Sequence, residues 1–221
     1  MILRCNTGGT RTDNFAFFIY AFSSLFAIVS PVGGVITFVS LTSDMSLDEK
    51  NYLASKSVIL ACIIALFFAV TGQIILNFFG VSIDSLRVAG GILLFVVAFD
   101  MILAKVSRES VTEKEIDISM ERSDIWIFPI ALPLLTGPGT ITTIIVLMGS
   151  AVSVLQRGEV IAAILLTFLI TGVLFHFSRR IYKFLGYTGM LVFTRLMGLL
   201  LAAMAVNFIT IGIWNIYLSF Q

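Results

Sequence analysis

The chain has 221 residues, 58% hydrophobic and 12% charged, with a formal net charge of +1 and a mean hydropathy of +1.05. A soluble domain usually carries about 25% charged residues, so half of the expected solvating surface is missing, and the charges that remain gather between long apolar runs. That excludes a water-soluble globule, gives no basic tract to hold nucleic acid, and fits an all-α polytopic membrane protein.

The first fourteen residues, MILRCNTGGTRTDN, form a polar tail (1–14) without the apolar core and small-residue cleavage site of a removable signal, so the first apolar segment is expected to stay in the membrane. Six transmembrane helices are predicted, near 15–41, 57–79, 86–104, 125–150, 159–178 and 190–218, from runs of about 20 apolar residues, enough to cover roughly 30 Å. The connection KVSRESVTEKEIDISMERSD (105–124) is charged and aperiodic, and reads as a solvated loop. It separates a first three-helix unit, 15–104, from a second, 125–221. Cys5 and Cys62 fall in a polar tail and an apolar run, so no disulfide is expected, and no ligand spacing for a metal appears.

Cationic residues set the expected orientation. The connections after spans 1, 3 and 5, with the start of span 6, hold Lys50, Lys56, Lys105, Arg108, Lys114, Arg122, Arg179, Arg180, Lys183 and Arg195, against Arg4, Arg11, Arg87 and Arg157 elsewhere. Both termini are therefore expected outside or in the periplasm, and loop 105–124 in the cytoplasm, with the protein integral to the cell (inner) membrane.

The halves resemble each other. IVSPVGGVITFVSL (28–41) over LLTGPGTITTIIVL (134–147) matches Gly33 with Gly139, Thr37 with Thr143 and Leu41 with Leu147 at an offset of 106. SLRVAGGILL (85–94) over FTRLMGLLLA (193–202) matches Arg87 with Arg195 and Gly90 with Gly198 at an offset of 108. A duplicated unit of three helices must enter the membrane from opposite sides, which predicts two inverted repeats with a site at their interface.

The four prolines, Pro31, Pro129, Pro133 and Pro138, all fall in spans 1 and 4. Proline removes a backbone donor and clashes with the preceding turn, so SPVGG (30–34) and TGPG (136–139) are expected to interrupt helices 1 and 4 mid-membrane. Such irregular backbone is tolerated only in a protein interior or a wet cavity. A half-helix starting at Pro138 offers the N–H groups of Gly139 and Thr140 to a carboxylate. The preceding half, ending near Leu135, offers carbonyls to an ammonium group, with hydroxyls from Thr136, Thr140 and Thr143. The same logic covers Ser30, Gly33, Gly34 and Thr37, and Gly137 belongs to the second break. A small zwitterion fits this chemistry. The competing reading is that Gly, Ser and Thr only let helices pack closely and that the prolines only kink them.

SPVGG, SIDSLRVAGGILL with the following AFDMI (82–102), PLLTGPGTI (133–141) and TRLMGLLLAAMAVNFI (194–209) resemble the MarC family of six-span membrane proteins, which includes the SnatA-type transporters of small neutral amino acids. The likeness covers nearly the whole chain apart from the tail and the central loop. It implies proton-linked movement of glycine- or alanine-like substrates at the two broken helices, with Ser30 standing where relatives often carry Asn.

Asp100, in LLFVVAFDMILA, is an intramembrane acid and a candidate for coupling, with Asn207 near its equivalent place in the second half. It could equally snorkel or pair with Lys105. The lone His176 and the helix-opening Arg87 and Arg195 read as structural, Gln73 and Asn77 as glue to a neighbouring helix, and Trp126 and Trp214 as interface belt. No GxSxG, HExxH, dithiol or Walker loop is present, so neither an enzyme nor a cofactor is expected, and transport would run on a gradient or by exchange. Membrane lipids are expected neighbours and a homo-oligomer is compatible with the chain. The rival function is a channel, or a structural or regulatory protein that moves nothing.

Overall fold

A computed structural model of the protein describes residues 11–43, 45–103 and 126–221. The first ten residues, with Cys5, and the predicted cytoplasmic loop 105–124, with Lys105, lie outside the described residues. Every described element is helical: α1 (Arg11–Val29), α2 (Pro31–Leu41), α3 (Leu47–Phe78), α4 (Ile83–Ile102), a wide-turned segment α5 (Trp126–Leu135), α6 (Pro138–Ser150), α7 (Val154–His176) and α8 (Ser178–Ser219). Five helical stretches are long and apolar enough to cross a membrane, α1 with α2 counting as one. The pair α5 and α6, bent by 54°, makes a sixth if taken as one span.

Boundaries follow caps rather than apolarity. α3 begins at Leu47, ten residues before the predicted span, because Ser46 and Glu49 form a capping box in which each side chain meets the other's backbone N–H. Ser82 caps α4 by accepting from the Ser85 N–H, and Ser153 caps α7 by accepting from Gln156. The predicted connection between spans 5 and 6 is instead helical: α8 runs for 42 residues, interrupted at Gly186 (φ 64°, ψ 173°), a conformation open to glycine but strained for other residues.

α4 packs along α8 more extensively than any other pair. The two helices are antiparallel, with Asp84 and Val88 beside Gly212 and Ala98 beside Gly198. A β-carbon on Gly91 would stand 2.9 Å from the Ala205 carbonyl oxygen, and one on Gly198 would stand 3.0 Å from that of Ala98. This is the backbone approach that small residues permit where no hydrophobic drive pulls helices together. The two contacts exchange under a shift of 107, since 91 becomes 198 and 98 becomes 205.

The buried faces correspond in the same way. In α4 and α8, Gly91, Leu94, Ala98 and Met101 are buried with Gly198, Leu201, Ala205 and Phe208, each 107 apart. In α3 and α7, Ala54, Ser57, Val58, Ala61, Ala65 and Ala69 are buried with Val160, Ala163, Ile164, Thr167, Thr171 and Phe175, each 106 apart. Packing thus sets the third-helix correspondence one residue below the offset of 108 read from Arg87 and Arg195. Contacts between the halves are also reciprocal: α1 meets α7 as α5 meets α3, and α2 meets α8 as α6 meets α4.

Candidate functional site

Both expected helix breaks are present, with different geometry. The first is a single residue. Ser30 takes left-handed angles (φ 45°, ψ 61°) between α1 and α2, while its N–H still reaches the Phe26 carbonyl and its carbonyl accepts from Gly34. The chain is therefore re-aimed without a loop, and Pro31 opens α2 at the position where its missing donor costs nothing. The second break is broader. Phe128 and Leu132 leave helical geometry before Pro129 and Pro133, α5 ends at Leu135, and Pro138 starts α6 after Gly137.

The breaks meet. A β-carbon on Gly139, at the start of α6, would stand 2.8 Å from Ile28 Cδ1, in the last turn of α1, and 3.1 Å from Leu94 Cδ2 in α4. Gly139 is thus enclosed by side chains. Gly33 faces the Ser30 Oγ and the Thr194 Oγ1 of α8, and Gly34 lies under the Phe175 ring, which stacks on Phe38 at 4.7 Å between centroids. A β-carbon on Gly137 would meet the Pro133 carbonyl oxygen at 2.7 Å. Thr37 is half-buried on α2.

Hydroxyls separate the residues further. A buried serine or threonine in a helix usually donates to the carbonyl four residues back, as Ser24, Thr42, Ser57 and Thr171 do here. Thr136 and Thr140 donate to the Ala131 and Leu135 carbonyls at 2.8 and 3.2 Å, so they tie up the frayed end of α5. The Oγ atoms of Ser30, Thr143 and Thr167 are buried without any partner. A buried hydroxyl left so costs on the order of 1–3 kcal/mol, which a ligand could restore.

Asp100 is half-buried in the last turn of α4, and Asn207 is exposed on α8. Both lie on the α4–α8 pair. A second acid, Glu159 in α7, has one enclosed carboxylate oxygen without a hydrogen-bond partner. His176 and Trp214 are exposed, as expected of residues near span ends. Gln73 donates to Asn77 on the same face at 3.2 Å, and its Oε1 lies against α6, where a β-carbon on Gly149 would stand 3.3 Å away. Among the described residues no group of three His, Cys, Asp or Glu side chains could hold a metal ion.

The family profile described as MarC family integral membrane protein matches residues 15–217, which takes in every span and both breaks. The chain belongs to the MarC family. It is 41% identical to a UPF0056 membrane protein of Methanocaldococcus jannaschii over 89% of this chain and 96% of that protein. It is 37% identical to UPF0056 membrane protein YvbG of Bacillus subtilis over 92% of this chain and 97% of that one. With UPF0056 membrane protein YhcE of Escherichia coli it shares 37% over 92% and 95% of the two chains. Each is named as a membrane protein, with no substrate. No solved structure matches the chain.

Sequence reasoning about this MarC protein missed Thr167, whose hydroxyl lies in the middle of ILLTFLI (164–170) without a glycine or proline beside it to mark it. Its face was legible, because Thr167, Thr171 and Phe175 recur every four residues and all are buried. α7 lies along α1 and α2, and Phe175 covers Gly34. Thr167 lies eight residues earlier, about 12 Å along the same buried face of α7. The sequence also left Arg87 as a simple helix anchor, whereas its side chain is only 11% exposed and is paired.

Proposed function

We propose that this MarC protein is a secondary transporter of small neutral amino acids, glycine- or alanine-like, working by alternating access around its two broken helices. The observation that carries the reading is the meeting of the breaks, Ile28 against Gly139, with the unpartnered hydroxyls of Ser30 and Thr143 on the broken spans. Helix starts with free N–H groups suit a carboxylate, and hydroxyls with helix-end carbonyls suit an ammonium group. A site this closely packed leaves room for a small side chain only.

The reading takes the halves as inverted repeats of three spans. The antiparallel α4–α8 pair, the buried faces at shifts of 106 and 107, and the reciprocal contacts between halves support it. Coupling is assigned to protons, with Asp100 as carrier and Asn207 its near-counterpart, and both termini are placed outside with loop 105–124 in the cytoplasm.

Uptake of labelled glycine and alanine into proteoliposomes holding the purified protein, with and without a pH gradient, tests the proposal. Saturable uptake that collapses with the gradient is expected. Linear, unsaturable flux would instead identify a channel, and no flux even in exchange with preloaded substrate would end the amino-acid assignment.

A further inference from the structure

Away from the breaks, one end of the bundle carries a polar cluster that joins the two halves. Arg87, in α4, donates from one guanidinium nitrogen to the Asp84 carboxylate at 3.0 Å and from another to the Ser150 hydroxyl at the last residue of α6. Asn215, near the end of α8, donates to the same Asp84 oxygen at 2.9 Å. Ser150 in turn donates to the Val146 carbonyl of its own helix. The half-helix that starts at the second break is therefore fastened, at its far end, to α4, and only through Asp84 of α4 to α8.

The other half-helix is held differently. Thr42, after the end of α2, donates only to the Phe38 carbonyl of its own helix. Among the described residues no side-chain hydrogen bond ties that end to α4 or α8. The register differs too. Leu94 against Gly139 should, by the shifts of 107 and 106, have its counterpart in Leu201 against Gly33. Gly33 instead faces Thr194, seven residues earlier in α8 and roughly 10 Å away along its axis. Two similar halves thus hold two different arrangements, fastened on one side only.

We propose that Asp84, Arg87, Ser150 and Asn215 are a latch that keeps this end of the pathway shut, and that the passage opens there only when Arg87 releases Ser150 and α6 slides against α4. The proposal rests on the transporter reading above for its purpose, since closure at one end matters only if something crosses. Energetically it suits a switch: the partners are short-range, directional and few, so both the fastened and released arrangements are accessible to a bundle whose small-residue contacts let helices slide.

The test needs no substrate. Thr142, in α6, is buried against Gly90 of α4, below the latch. In a background with Cys5→Ser and Cys62→Ala, a Thr142→Cys protein in nanodiscs is treated with a charged methanethiosulfonate, and the labelling rate is measured with and without Arg87→Gln. Ser150→Ala serves as the milder second release, since it leaves the ion pair intact. A rise of about tenfold or more with Arg87→Gln, and a smaller rise with Ser150→Ala, is expected. Unchanged labelling in both variants, with circular dichroism showing retained helix, overturns the latch. Faster labelling in a protein whose parent moves no amino acid leaves the latch standing and removes the transporter reading. Uptake by the parent with unchanged labelling does the reverse.

Discussion

Gly198 sets its Cα against the backbone of Ala98, so that a β-carbon there would stand 3.0 Å from the Ala98 carbonyl oxygen and 2.8 Å from the Met101 Cβ. Neither atom can swing aside, because one is backbone and the other is fixed to it. Gly198→Ala is expected to destabilise the protein by about 1–3 kcal/mol through overpacking, seen as a lower midpoint in thermal unfolding in detergent. Gly158→Ala is the control: a β-carbon there meets nothing within 4 Å, and stability should hold or rise slightly through helix propensity.

Ser30 decides whether the first span can break at a single residue. Its left-handed angles are open to Gly and Asn and costly, by roughly 1–2 kcal/mol, to a β-branched residue. Ser30→Gly and Ser30→Asn should therefore unfold at the parent's temperature, while Ser30→Val should unfold several degrees lower. Uptake divides them differently: Ser30→Asn keeps a hydroxyl-like donor and acceptor and should transport, and Ser30→Gly should not.

Thr167 and Thr171 form a matched comparison one helical turn apart. Thr171 spends its hydroxyl on the Thr167 carbonyl at 2.8 Å, and Thr167 spends its own on nothing. Thr167→Val should leave the unfolding midpoint unchanged or raise it, because an unsatisfied buried group is removed, yet lower glycine uptake about tenfold or more, the equivalent of one lost hydrogen bond of about 1.4 kcal/mol. Thr171→Val should retain uptake. Normal uptake by Thr167→Val would move the site off α7.

Gly139 and Ile28 are expected to be energetically coupled. Gly139→Ala alone places a methyl group against Ile28 and should lower both stability and uptake. Adding Ile28→Ala opens the space it needs, and a double-mutant cycle on unfolding free energy should return a coupling of about 0.5–3 kcal/mol. A coupling of zero would mean that the two breaks do not bear on each other.

Sequence reading recovered where the chain breaks its helices. Runs of apolar residues located the spans, and Pro31 and Pro138 located both half-helix starts, because proline forbids a helical hydrogen bond wherever it stands. It could not locate the beginning of α3, since Ser46 and Glu49 specify a helix start in a stretch too polar to look membranous. It could not assign Arg87, whose partners Ser150 and Asn215 lie far away in the chain and meet it only once the halves are assembled. The threonines of the second motif looked alike as a spaced series. Only three-dimensional placement separates Thr136 and Thr140, which close off α5, from Thr143, which has no partner.

α8 is too long for the membrane it enters. Its 42 residues would reach about 63 Å at 1.5 Å per residue, twice a hydrocarbon core of about 30 Å. The turn at Gly186 sheds the first two turns, which carry Arg179, Arg180 and Lys183, yet the remainder, Tyr187–Ser219, still extends roughly 50 Å. That excess must be taken up by tilt or by protrusion, each set by hydrophobic mismatch with the surrounding lipid. A thicker bilayer would draw α8 upright and, through Gly91 and Gly198, carry α4 with it. Acyl-chain length thereby becomes a mechanical input to the closely packed α4–α8 pair.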